Sequence, residues 1–236
     1  MLKYPISTLL YIAKINIKDT IQDILKLHNN IDVKLTIIVK DKDGKIIKQH
    51  KQRSHSFVSN FVSILATLML NPYNTYNNAY PIKDLSGTTQ SLNAINESAD
   101  EVLTMLDNAN DSTYGIVVGT GTATPTPQDY KLENQIQNGT GSGQLSYGTH
   151  SISPTPTNLS ISNNTILFQV SRTFQNQSGA SIIVSEVGII AETNISTSSA
   201  SGTNDYVLII HDLLSSPITI PNNAVLTIVY TISVTT

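Results

Sequence analysis

The chain has 236 residues, enough for one sizeable core or two small ones. Charged residues make up only 13% and the net charge is −3. Polar positions therefore fall to Ser, Thr and Asn, and there is no general basic field to bind nucleic acid by counterion release. With no Cys, disulfide frameworks, thiolate zinc sites and cysteine nucleophiles are excluded, and stability has to come from packing.

Ile6, Leu9, Leu10, Ala13, Ile17, Ile21, Ile24 and Leu25 recur at spacings of three and four. This predicts an amphipathic helix over residues 6–27 whose apolar stripe needs a partner surface. Residues 1–30 are taken as an assembly arm and 31–236 as one β domain. The apolar run 6-ISTLLYIA-13 is bracketed by Lys3 and Lys14 and falls short of the roughly 18 to 20 residues of a membrane helix. No small-residue cleavage site follows it, so a signal peptide is not expected either.

In 33-VKLTIIVKDKDGKIIKQHK-51, apolar and polar residues alternate on both sides of Asp43-Gly44, whose glycine supplies the positive φ of a tight turn; a hairpin is predicted. Asp41 and Asp43 lack the third oxygen ligand and the Glu that a calcium loop requires, and serve the turn. A helix is predicted over residues 54–70, capped by Ser54 or Ser56, with Phe57, Phe61, Ile64, Leu65 and Leu68 on one face and Pro72 just beyond. Residues 71–113, rich in Asn, Tyr and Thr, are expected to form a surface insertion. In it Tyr73, Tyr76 and Tyr80 are candidates for stacking on sugars or bases, or for pinning the loop.

The stretch 115-GIVVGTGTATPTPQDYKL-132 invites a phosphate-cradle reading and fails it. A Walker loop needs a Lys after its last glycine and a helix behind it, and a dinucleotide loop needs a third glycine. Here Pro125 and Pro127 follow Gly119 and Gly121, so no helix dipole can be aimed at an anion. The glycines are read as serving tight backbone geometry, with Asp129-Tyr130 anchoring the segment onto the domain.

Beyond residue 115 the pattern is β throughout. Strands 166–174 and 182–191 are expected to pair as a hairpin, in a register that sets Arg172 opposite Glu186 as a cross-strand ion pair. Strands 206–214 and 224–234 follow; in the last, Leu226, Ile228, Tyr230, Ile232 and Val234 point one way and Thr227, Thr231 and Ser233 the other, a sheet with one wet face. Pro217 and Pro221 suit an edge or a turn. The expected fold is mainly β, an antiparallel β-sandwich of jelly-roll or immunoglobulin-like type, with the N-terminal helix and a second short helix packed on it.

As a hydrolase, the chain would have only Asp129, Glu186, His211 and Asp212 as acid or base candidates. His211 and Asp212 are neighbours on a strand and point to opposite faces, so they cannot form a simple dyad. No catalytic role, cofactor or metal site is expected.

Taken together, the D-x-D-G hairpin, R-S-H-S-F-x-x-N-F at 53–61 and G-T-G-T-A-x-x-x-P-x-D-Y-x-L at 119–132 form a composite pattern. It continues in R-T-F-x-N-x-S-G-A at 172–180, S-E-V-G-I at 185–189 and L-x-x-H-D-L-L-S-S-P-I-T-I-P at 208–221. Over residues 33–236 this resembles virion structural proteins of archaeal viruses, of the spindle-shaped type, and of tailed phages. The resemblance implies a tail, connector or spike component located in the virion. Its partners would be copies of itself in a ring or spike, and other virion structural proteins. A receptor- or glycan-binding module on the virion surface is the rival reading. Sequons stand at Asn96, Asn110, Asn138, Asn158, Asn163, Asn176 and Asn194, candidate glycosylation sites on an exposed virion surface.

Overall fold

The computed structural model describes residues 31–54, 56–70, 80–91, 104–106, 108–153, 160–162, 165–195 and 203–235. The predicted N-terminal helix, Tyr73, Tyr76, Asn96, Asn158 and Asn163 lie outside the described residues. What is described is mainly antiparallel β, in three sheets, with one short helix.

The elements in chain order are β1 (Ile31–Lys40), β2 (Ile46–Arg53), α1 (Ser59–Leu70), β3 (Pro81–Lys83), β4 (Thr89–Ser91), β5 (Gly115–Gly119) and β6 (Ser146–Ser153). They continue with β7 (Ser160–Ser162), β8 (Thr165–Gln175), β9 (Ile182–Ile195), β10 (Thr203–Ile220) and β11 (Val225–Thr235). The large sheet runs β2-β1-β11-β8-β6, with β7 also on β8; the second runs β10-β9-β5; β3 and β4 form a small hairpin. That hairpin is not merely superficial, because Ile82 is buried.

The β1–β2 hairpin forms as its sequence predicts. Gly44 has φ 79°, and the Asp41 carboxylate accepts the N–H groups of Asp43 and Lys45, so these aspartates shape the turn. In the large sheet the alternation is strict: Val33, Leu35, Ile37 and Val39 of β1, Leu226, Ile228 and Tyr230 of β11 and Val170, Arg172 and Phe174 of β8 all point inward and are buried. The second sheet reads differently. Val187–Ala191, Val207–Asp212 and all of β5 are buried, so both of its faces are covered, which is why these strands are nearly continuous apolar runs. Its edges are covered too. Residues 56–58 bond along β10, through Val58 N–H to the Ile209 carbonyl and His211 N–H to that of Ser56; Ile136 N–H and Thr120 N–H tie residues 134–136 to the β5 side.

Side chains cross between the two larger sheets: Arg172 of β8 donates to the Ile116 carbonyl in β5, and Tyr230 of β11 donates to Asp212 in β10. The buried apolar side chains form one cluster spanning both. Pro217 sits where the β9–β10 register shifts, between Leu213 and Ile218, so its missing N–H interrupts no regular ladder.

Three expectations are corrected. Strands β8 and β9 do not form a hairpin: β8 is flanked by β11 and β6, and β9 by β10 and β5, so both ladder edges of each are taken and residues 176–181 cross from one sheet to the other. The helix starts at Ser59, not at 54; of the residues expected to cap it, Ser54 donates its N–H to the Val33 carbonyl of β1 and the Ser56 carbonyl accepts from His211 N–H of β10. Leu65 does not share the inward face with Ile64, being 44% exposed against 2%.

Candidate functional site

The segment 120–136 crosses the outer face of the β10-β9-β5 sheet and is held there by charge. Two glycines make the approach possible. A Cβ on Gly119 would lie 2.3 Å from the Glu186 carboxylate and 2.6 Å from the Asn134 carbonyl, and one on Gly121 would lie 2.6 Å from the same carboxylate. Neither contact is tolerable for a real side chain, so the glycines of 119-GTG-121 create the space for Glu186 rather than for a ligand.

Glu186 is 1% exposed, and its carboxylate accepts four hydrogen bonds. Gly121 and Asn134 N–H donate to Oε1 at 2.9 and 2.8 Å; Glu133 N–H and His211 Nε2 donate to Oε2 at 3.0 and 2.9 Å. The other ring nitrogen of His211, Nδ1, lies 2.7 Å from Asp129 Oδ2. Asp129 is oriented in turn by the N–H and hydroxyl of Thr126. Three residues separated by 25 and 82 positions from one another along the chain thus form a linear array, Asp129–His211–Glu186. Beside it, the Glu133 carboxylate accepts Thr122 and Ala123 N–H, and Leu132 packs on Gly188.

A neutral imidazole has one N–H and one lone pair, and a lone pair facing an ionised carboxylate would repel it; two ionised carboxylates at hydrogen-bond distance favour the imidazolium. The electrostatics agree. Burial alone would depress the His211 pKa, and the hydrogen bonds to Glu186 and then Asp129 outweigh it, so the value is raised. Burial pushes Glu186 up, and the His211 hydrogen bond followed by the three backbone N–H groups brings it below the ordinary range. Asp129 is likewise lowered, against its burial, by Thr126 and His211.

With both ring nitrogens donating, His211 has no lone pair to take a proton from a substrate or to bind a metal. Among the described residues no group of three or more His, Asp or Glu side chains is arranged to hold a metal ion. The array is a clasp that fixes the crossing segment to β9 and β10. Asp212, the fourth titratable candidate, points to the opposite face, where Tyr230 Oη donates to it at 2.9 Å.

Arg172 and Glu186 do not meet as a cross-strand pair, since their strands belong to different sheets. The Arg172 guanidinium instead directs its five N–H donors at five carbonyls: Gly148 from Nε, Tyr114 and Ile116 from Nη1, Asn108 and Asp111 from Nη2. The Tyr147 ring lies 4.8 Å from its carbon. It is 1% exposed and ties residues 108–116 and β6 to the large sheet. Sequence reasoning missed the polar residues Tyr147, Asn60 and Asn176. Tyr147 Oη donates to the Ile136 carbonyl, Asn60 bonds Lys83 and Leu208, and Asn176 bonds Ala180 and Ile220. Their only signal was a polar or amphipathic residue inside an apolar pattern.

Among the sequons, Asn176 is wholly buried with both amide N–H groups donated, which corrects its reading as a glycan site. Asn138 is half-buried and donates to the Asn110 carbonyl; Asn110 is exposed, at φ 65° in a turn. Asn194 lies within β9. Tyr80 is 40% exposed.

Among the described residues, the outer face of the large sheet is partly exposed. Its rows read Thr36–Val229–Ser171–Ser151 and Lys34–Thr231–Gln169–Ser153 across β1, β11, β8 and β6. On β11, β8 and β6 this face carries no charged side chain; Gln169 donates to the Thr231 hydroxyl. No helix among the described residues is long and apolar enough to cross a membrane. No family model, curated protein or solved structure matches the chain.

Proposed function

We propose that this chain is a virion structural protein, a tail, connector (adaptor or nozzle) or spike component that associates with copies of itself and with other virion proteins in a ring. In this reading residues 31–236 form one β-sandwich of jelly-roll or immunoglobulin-like type and residues 1–30 its assembly arm. The observation that carries the reading is the part of the large sheet's outer face on β11, β8 and β6, which is built mainly of Ser, Thr and Gln and carries no charge. Such a face forms neutral hydrogen bonds with a neighbour without desolvating ions, the property a permanent interface needs. The composite sequence pattern over 33–236 supports it, and so does the use of buried charge: His211 and Arg172 go to fixing backbone segments. Sedimentation velocity across two decades of concentration tests it. A discrete closed oligomer is expected; a monomer at every concentration overturns it.

Attachment to a host glycan or receptor is a second reading, favoured by the exposed ring of Tyr80. Binding on a glycan array that disappears in the Tyr73, Tyr76 and Tyr80 triple alanine variant would support it, and an array without signal would end it.

A further inference from the structure

The helix α1 has the wrong composition for a surface helix. Eight of its twelve residues are apolar and none is charged. One side is accounted for: Ile64 is buried, the Phe57 and Phe61 rings stack at 4.1 Å, and the Asn60 side chain bonds the backbone of Lys83 and Leu208. The other side presents Val62, 60% exposed, and Leu65, 44% exposed. An uncharged helix that shows large apolar side chains on its outer side as well as its inner one is ordinarily a covered helix.

We propose that the outward face of α1 is the seat of the chain's own N-terminal arm, through the stripe Ile6, Leu9, Leu10, Ala13, Ile17 and Ile21. Three observations select this occupant. The arm ends at Ile31, where β1 begins, and Ser54 N–H donates to the Val33 carbonyl at 2.8 Å. Ser54 is five residues ahead of α1, so the end of the arm and the first turn of α1 lie within roughly 18 Å of chain reach. Length fits: a helix over 6–27 would be about 33 Å long and α1 is about 18 Å, leaving residues 28–30 to turn back. Charge fits as well. Residues 1–30 carry four lysines against two aspartates, whereas residues 54–236 carry three cations against twelve acids. The short tether gives the arm of the same copy a millimolar-scale effective concentration over the arm of any other. The inference does not depend on the assembly reading.

The chain has no Cys, so thiols can be placed one pair at a time. Val62→Cys would be combined in the full chain with Leu10→Cys, Ala13→Cys or Ile17→Cys on the stripe, and with Thr8→Cys or Asp19→Cys on the opposite side of the same helix, and oxidised mildly. At least one stripe pair is expected to close within the monomer band at ten or more times the off-stripe rate. Equal rates on and off the stripe overturn the proposal. Product found only at dimer mass also overturns it, because another copy then covers α1. A second measurement does not require a bond to form: labelling of Val62→Cys should accelerate about tenfold when Ala13→Asp and Ile17→Asp are added, and an unchanged rate overturns the proposal. Intrachain closure is read whether or not the protein oligomerises, so its failure and the failure of the ring are separate results.

Discussion

Replacing His211 with leucine should cost the protein about 3 kcal/mol, because two carboxylates would be left without the cation between them. Breaking a buried pair by removing one partner typically costs about 3–5 kcal/mol. Glu186 keeps three backbone N–H donors and Asp129 keeps both Thr126 donors, which places this case at the low end. For a domain of this size each kcal/mol moves the melting temperature by about 2–4 °C, so the loss should be about 6–12 °C near pH 6. The pH dependence sharpens the test. His211 is raised from its ordinary 6.5, so its contribution is complete below that value and is lost as pH rises through the folded pKa. Glu186 and Asp129 are lowered from 4.5 and 3.8, so theirs is complete above those values and is lost as pH falls through the folded ones. The wild type should therefore be most stable between about pH 4.5 and 6.5 as far as this array is concerned, and His211→Leu should lose the alkaline limb. Calorimetry of both proteins between pH 4 and 9 measures this. A melting temperature within about 2 °C of wild type at pH 6, or an alkaline limb unchanged in the variant, refutes the clasp.

Gly119→Ala should destabilise by about 1–3 kcal/mol, since its Cβ meets both a carboxylate and a backbone carbonyl; urea unfolding reads this directly. Arg172→Ala and Glu186→Ala should add to within about 0.5 kcal/mol, because they secure different segments, while His211→Leu and Glu186→Ala should be strongly non-additive; the two double-mutant cycles decide it. Tyr230→Phe should cost about 1–3 kcal/mol in thermal unfolding by removing a donor from buried Asp212. Peptide mass mapping of the native protein should find no glycan on Asn176, whose amide is fully used inside the fold.

What the sequence disclosed was local. Asp43-Gly44 specifies its turn, and the alternation from Leu226 to Tyr230 specifies which face of β11 is buried, because both depend on neighbours a few residues apart. Period two identifies a strand's face and not its partner, so nothing local revealed that β8 and β9 pair with β11 and β10 and not with each other. Ser54 and Ser56 read as helix caps, yet their backbones are held by strands, Ser54 N–H on the Val33 carbonyl of β1 and the Ser56 carbonyl on His211 N–H of β10, bonds that a further helical turn would give up. Asp129, Glu186 and His211 were recognisable as titratable residues in a weakly charged chain, but their meeting depends on contacts between positions 25 and 82 residues apart. Gly119 and Gly121 read as backbone geometry, and the space they leave is filled by Glu186.

We propose that the chain is built for assembly into a virus particle. Imaging purified particles labelled with antibody against this chain tests it most directly. Label is expected on every intact particle, concentrated at a tail, connector or spike; particles that carry no label would contradict the proposal.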